Sequence, residues 1–135
     1  MAAYRFGNIE KILMSRKVII DTNGLMIPGQ FGIDIFSELK RLGYDTFLAP
    51  RASVRELEKI CSHGRGKDRT AAKVALSLLD RCTVIEKDGF ADDIILDMAV
   101  DMKAHVLTND IELKKRLCSK GVTIVQLRER THLSL

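Results

Sequence analysis

Four short apolar, largely β-branched runs in this chain each lead to a carboxylate. Lys17-Val18-Ile19-Ile20 runs straight into Asp21-Thr22-Asn23, and Ala104-His105-Val106-Leu107 into Thr108-Asn109-Asp110. Between them, Thr46-Phe47-Leu48-Ala49 feeds a segment carrying Glu56, and Thr83-Val84-Ile85 is followed by Ala91-Asp92-Asp93. Continuous runs of this kind suit strands buried on both faces. In an open parallel sheet the carboxyl ends of the strands share one edge, where ligands bind. Acids far apart in the chain therefore converge in space. Converging carboxylates repel one another and need a cation between them, and an oxygen-only set suits Mg²⁺ or Mn²⁺. The pattern points towards metal-dependent phosphoryl transfer.

The rest of the chain alternates strand and helix. Residues 8–15 place Ile9, Ile12 and Leu13 on one side of a short helix, within a leading segment 1–16. Residues 24–32 contain Pro28, Gly29 and Gly32 and read as a loop. Ile35, Phe36, Leu39 and Leu42 give residues 34–42 a helical spacing, which Gly43 ends. Pro50 opens another helix through Val54, Leu57 and Ile60, and Ser53-x-x-Glu56 has the spacing of a capping box. Residues 62–69 are polar, basic and broken by glycine, as expected of an exposed loop. A helix over 70–81 would bury Val74, Leu78 and Leu79, and one over 92–103 would bury Ile94, Ile95, Met98, Ala99 and Met102. A last helix covers 110–117, Val122-Thr123-Ile124-Val125 is a fifth strand, and the polar tail 128–135 is expected to be loose. This alternation predicts an α/β fold, a three-layer α/β/α sandwich around a central, mostly parallel sheet of about five strands. Without repeats or linkers, residues 1–135 read as one domain with a core over about 17–126.

Composition excludes several classes. No apolar run approaches the roughly 20 residues that span a bilayer, and the start, Met1-Ala2-Ala3-Tyr4-Arg5-Phe6-Gly7, lacks the apolar stretch of a secretory signal. Cys61, Cys82 and Cys118 are odd in number and widely spaced, so neither a zinc site nor a disulfide framework is expected. A reducing cytoplasm is the simplest location. The net charge is +4. If several acids share one pocket, the remaining surface is more basic still, which favours phosphate backbones as partners. Many soluble proteins are equally basic, so charge alone decides little.

Each acid also has an ordinary explanation. Asp21, Thr22 and Asn23 are all residues that cap helices or turns, and Asp110 is placed to cap the final helix. Glu56 fits the capping box, or a solvated helix face. Glu58, about 200° round the helix from it, is the better candidate for solvent. Asp92 and Asp93 stand at a helix start, where the dipole favours anions. Asp93, Asp97 and Asp101 recur every four residues as an acidic stripe, which leaves Asp92 as the inward-pointing acid. Four such coincidences at strand and helix ends are harder to dismiss than one.

Together, Val18-Ile19-Ile20-Asp21-Thr22-Asn23, the Glu56 helix, Ala91-Asp92-Asp93-Ile94-Ile95 with Ala99, and Val106-Leu107-Thr108-Asn109-Asp110 resemble the PIN domain, a family of metal-dependent ribonucleases. The resemblance covers about residues 17–126. It implies a catalytic quartet of Asp21, Glu56, Asp92 and Asp110, with Asp93 as a possible further metal ligand and the match at 92 or 93 open by one residue. It implies Mg²⁺ or Mn²⁺ as cofactor and hydrolysis of an RNA phosphodiester, with Thr22, Asn23, Thr108 and Asn109 orienting ligands or waters. The Ala-Asp-Asp and Leu-Thr-Asn-Asp forms, followed by Leu113-Lys114-Lys115-Arg116, are similar to the rRNA-processing branch. The toxin branch of toxin–antitoxin pairs shares the quartet. Partners implied are therefore RNA, rRNA among them, a second copy in a homodimer, and an antitoxin or a ribosome-assembly protein. No membrane is expected.

Substrate contacts are less sharply marked. Arg65, Lys67 and Arg69 with His63 in the basic segment, and Arg51 and Arg55 nearer the acids, are candidates for RNA phosphates; a solvated loop explains the former equally well. Aromatics are few and none interleaves with the basic segment, so base stacking is not expected from the sequence. His105, within a strand, reads as structural, and His63 and His132 as exposed. Phe31, Ile33 and Phe36 read as core more readily than interface. Asn23 stands where a haloacid dehalogenase-type enzyme needs a second Asp, and Asp21 lacks the acidic neighbour of a response-regulator receiver. The competing reading of a different class is a non-catalytic RNA-binding assembly module on the same fold.

Overall fold

The computed structural model describes residues 16–135, so the helix expected over 8–15 lies outside the described residues. The alternation appears as β1 (Lys17–Ile20), α1 (Thr22–Phe31), α2 (Ile35–Arg41), β2 (Thr46–Pro50), α3 (Arg51–His63) and α4 (Gly66–Ser77). A 3₁₀ turn (Leu79–Arg81) then leads to β3 (Thr83–Ile85), α5 (Ala91–Met102), β4 (His105–Leu107), α6 (Ile111–Ser119), β5 (Ile124–Arg128) and β6 (His132–Ser134).

The strands form one sheet in the order β3-β2-β1-β4-β5-β6. The first five are parallel and β6 runs antiparallel to β5. The order reverses at β1: the chain moves outward through β2 and β3, then returns to place β4 on the other side. Such a switch point leaves a crevice beyond the carboxyl ends of β1 and β4. Alternation along β1 feeds two cores. Val18 and Ile20 join Leu25, Ile27, Phe36, Leu39 and Ala71 on one face. Ile19, with Val106 and Leu48, joins Ile94, Ile95, Met98, Leu113 and Leu117 on the other. Both faces are covered by helices, giving the three-layer α/β sandwich.

Several local expectations fail, each for a physical reason. Residues 24–32 are a helix, α1, rather than a loop. Asp21 caps its start and Gly32, at φ +68°, ends it with an amide bonded to the Pro28 carbonyl. Pro28 removes a backbone bond inside the helix, but Leu25, Met26 and Ile27 are buried on it, and that burial offsets the loss. Gly29 is there for contact: a Cβ would lie 2.5 Å from the Ala71 Cα on α4. The basic segment 62–69 is also largely helical, with a break only at Gly64-Arg65 between α3 and α4. On α4 the buried residues are Ala71, Ala72 and Ala75, which allow close helix packing, while Val74, Leu78 and Leu79 are half-buried. The capping box does not form. Helix α3 starts three residues earlier than that box requires, with Pro50 at its cap, so Ser53 lies inside it with its hydroxyl buried and unpartnered. The tail is not loose: β6 adds a strand and buries Leu133. Among the described residues, no helix is long and apolar enough to cross a membrane.

Candidate active site

Asp21 stands where β1 ends, 5% exposed. Its Oδ1 accepts the Gly24 N–H at 2.6 Å, which caps α1. Its Oδ2 accepts the Thr108 hydroxyl at 2.5 Å, from the end of neighbouring β4. The Thr108 oxygen in turn accepts the Asp110 N–H at 3.0 Å. Asp110 caps α6, its Oδ1 accepting from the amides of Glu112 and Leu113. Thr22, next to Asp21, donates its hydroxyl to Glu56 Oε2 at 2.8 Å. The capping and clustering explanations thus hold together: the α6 cap engages one oxygen of Asp110 and leaves the other open, while the Gly24 amide and the Thr108 hydroxyl hold the two oxygens of Asp21 in place.

Asp21, Glu56, Asp92 and Asp110 line one crevice of about 160 Å³, with Thr22, Asn23, Ile60, Ala91 and Ile95. Asp93 does not join them. It faces solvent and takes the Arg116 guanidinium at 2.7 Å, so of the adjacent pair Asp92 is the crevice residue. Asn109 also turns away. Its side-chain oxygen accepts the Leu127 N–H at 3.2 Å and ties the end of β4 to β5. Ile60 and Ile95 read from the sequence as apolar helix positions and not as site residues. They stand four and three residues after Glu56 and Asp92, and that same-face helical spacing was the available signal.

Burial dominates the electrostatics. The Asp21 carboxyl is pushed up from 3.8 to about 6, chiefly by burial and further by the charges of Asp110 and Asp92, against the stabilising bonds from Thr108 and Gly24. Asp92 is raised by burial and by Asp110, with Arg116 opposing. Among the described residues, no three His, Cys, Asp or Glu side chains stand close enough to hold an ion as they are arranged. Mutual repulsion of the acids favours that spread. The donor set still fits a hard cation: the crevice offers four carboxylates, a hydroxyl and a carboxamide, without sulfur or imidazole. A larger surface cavity of about 710 Å³, lined by Phe31, Gln30 and Lys67 among others, holds a single acid, Asp68.

The basic candidates do not gather at the crevice. Arg51 is paired with Glu86 at 2.6 Å, Arg55 is exposed beside Glu56, and Arg65, Lys67 and Arg69 are exposed around the start of α4. His105 is structural, its Nδ1 2.6 Å from the Tyr44 hydroxyl. His63 is exposed but His132 is half-buried. Phe36 is core, Ile33 half-buried and Phe31 38% exposed, so the core assignment fails for Phe31.

Residues 18–130 match the family described as PIN like domain. Ribonuclease VapC9 of Archaeoglobus fulgidus is 33% identical over 114 residues, 84% of each chain. Ribonuclease VapC4 of Methanocaldococcus jannaschii is 26% identical over 127 residues, 88% of this chain and 95% of its own. Among solved structures, the PIN domain endonuclease Utp24 is similar with a TM-score of 0.70 at 27% identity, over 87% of this chain and 88% of its own. With most of its length matched and its acids gathered at the switch point of the sheet, this chain belongs to the PIN-like domain family.

Proposed function

We propose that this protein is a divalent-metal-dependent endoribonuclease. The observation that carries the reading is the pooling of Asp21, Glu56, Asp92 and Asp110 in one crevice, where burial first, and then the charges of Asp110 and Asp92, push the Asp21 carboxyl up to about 6. Two relatives named ribonucleases and a similar structure named an endonuclease support it. The same four carboxylates would hold Mg²⁺ or Mn²⁺, which when bound supplies a water of lowered pKa and positive charge opposite the scissile phosphate.

The chain's own residues prepare that site. Thr108 and the Gly24 amide fix both oxygens of Asp21, and Thr22 fixes Glu56. Such bonds orient ligands before a cation arrives. Ile60, Ala91 and Ile95 wall the crevice with apolar surface, which strengthens charge interactions within it. Of the finer roles, rRNA processing follows from the motif forms around Asp92 and Asp110, while inhibition by a small antitoxin, with a homodimeric nuclease, follows from the toxin branch that shares the quartet. Both use this chemistry and differ in substrate and partner.

The test is cleavage of a labelled structured RNA with Mn²⁺ or Mg²⁺, beside Asp21→Asn and a chelator control. Metal-dependent cutting that the variant loses is expected. Tight RNA binding without cutting across a broad RNA panel would overturn the reading in favour of a non-catalytic assembly module.

A further inference from the structure

Two large exposed apolar side chains adjoin, in the chain, residues that line the acidic crevice. Phe90 is 82% exposed and Ile111 67%. Phe90 immediately precedes Ala91 and Asp92, which line the crevice, and Ile111 immediately follows Asp110, which also lines it. The helices they introduce, α5 and α6, are joined by the Arg116–Asp93 ion pair. Single exposed apolar residues are normal on a surface, but these two directly flank crevice residues in the chain. The ring is held out by its backbone. Gly89 turns the chain at φ +131°, and the Phe90 carbonyl accepts the Ile94 N–H at 3.0 Å as α5 begins.

Basic residues stand on α3, outside the crevice lining but near the connection that leads to Phe90. Glu86 opens the connection that leads through Lys87 to Phe90, and Arg51 on α3 binds its carboxylate at 2.6 Å. Arg55 is close enough to add to the field at Glu86, stands next to Glu56, and makes no ion pair with an acid among the described residues. An RNA phosphate placed over the four acids would therefore have an aromatic face and a free guanidinium beside it. The nuclease reading puts RNA, rather than an apolar protein segment, at this crevice.

We propose that Phe90 is the platform on which the unpaired base next to the scissile phosphate stacks, with Arg55 contacting the adjoining phosphate. The inference rests on the nuclease reading and names a positioning residue for it. A stacked base on an aromatic side chain contributes about 5- to 150-fold in affinity.

The experiment compares wild type, Phe90→Ala and Phe90→Trp on a labelled single-stranded RNA, and on the same RNA made abasic beside the cut. Phe90→Ala is expected to raise KM about 5- to 150-fold with kcat nearly unchanged, and Phe90→Trp to retain wild-type KM. The abasic RNA should penalise wild type similarly and Phe90→Ala no further. In parallel, a 2-aminopurine base beside the cut is followed by fluorescence in Asp21→Asn protein, where quenching on binding is expected and should vanish with Phe90→Ala. Unchanged KM in Phe90→Ala, failure of Trp to substitute, or additive penalties would overturn the proposal, the first leaving the ring to a protein partner. If wild type cuts no RNA, the nuclease reading fails, and 2-aminopurine placed at successive positions of the same RNA still decides whether a base stacks, by quenching that Phe90→Ala abolishes or leaves.

Discussion

Replacing Asp21 by Asn should stabilise the metal-free protein while abolishing its proposed activity. Asp21 is buried, and its carboxyl sits at about 6 instead of 3.8. Between those values the folded protein holds a proton that the unfolded chain has released. Stability therefore falls as pH rises from about 4 to about 6, and stays lower above. The full displacement corresponds to about 3 kcal/mol at neutral pH. Asn keeps the local geometry, since its oxygen can still accept the Gly24 amide and its NH₂ can face the Thr108 oxygen; Asn is as good a cap as Asp. The expected gain is about 1–3 kcal/mol at pH 8 in chelator, closing towards pH 4. His105 works in the opposite direction, because burial and then Arg16 lower its pKa, so its contribution is lost as pH falls below about 6.5. It is common to both proteins and cancels in the difference. Urea titrations of wild type and variant at pH 8, 6 and 4 provide the measurement. A variant less stable than wild type at pH 8, or a gap independent of pH, refutes the argument that burial of this charge is the dominant cost. Added Mn²⁺ should then raise the stability of wild type and leave the variant unmoved.

Three further outcomes are expected. Gly29→Ala should destabilise by about 1–3 kcal/mol, because its Cβ would meet the Ala71 Cα and α1 and α4 must part; denaturation at the wild-type midpoint checks it. Leu133→Ala should cost about 2–5 kcal/mol, since Leu133 is fully buried in β6, whereas a loose tail would show no change. A thiol reagent at pH 8 should label exposed Cys118 first and Cys82 last, as burial holds the Cys82 thiol at about 11; peptide mapping of the labelled protein would reverse the argument if Cys82 led.

The resemblance drawn from the sequence is borne out by the family match, and the parallel α/β architecture by the sheet. Both were legible because β-branched runs such as Val18-Ile19-Ile20 and helix stripes such as Ile94, Ile95, Met98 and Ala99 are periodic, and periodicity is a local signal. The helical state of residues 24–32 was not legible. Pro28 and Gly29 are breakers by propensity, and only the fit of Gly29 against Ala71 shows why a glycine stands there. Strand β6 was hidden because His132-Leu133-Ser134 is too short to declare itself without β5 to pair with.

The sequence by itself determined which acids exist, and that each stands just after a strand or in the helix that follows one. Chain chemistry is enough for that, since caps and strand ends are set by neighbours a few residues away. Tertiary structure alone decided which of them meet. The return of the chain across β1 to β4 brings Thr108 to Asp21, while Asp93, on the acidic stripe already visible in the sequence, pairs with Arg116 outside the crevice. The fold also gathered acids that lie up to 89 residues apart in the chain, from Asp21 to Asp110. Local propensity carries no term for contacts at that separation; the closing of the sheet supplies it.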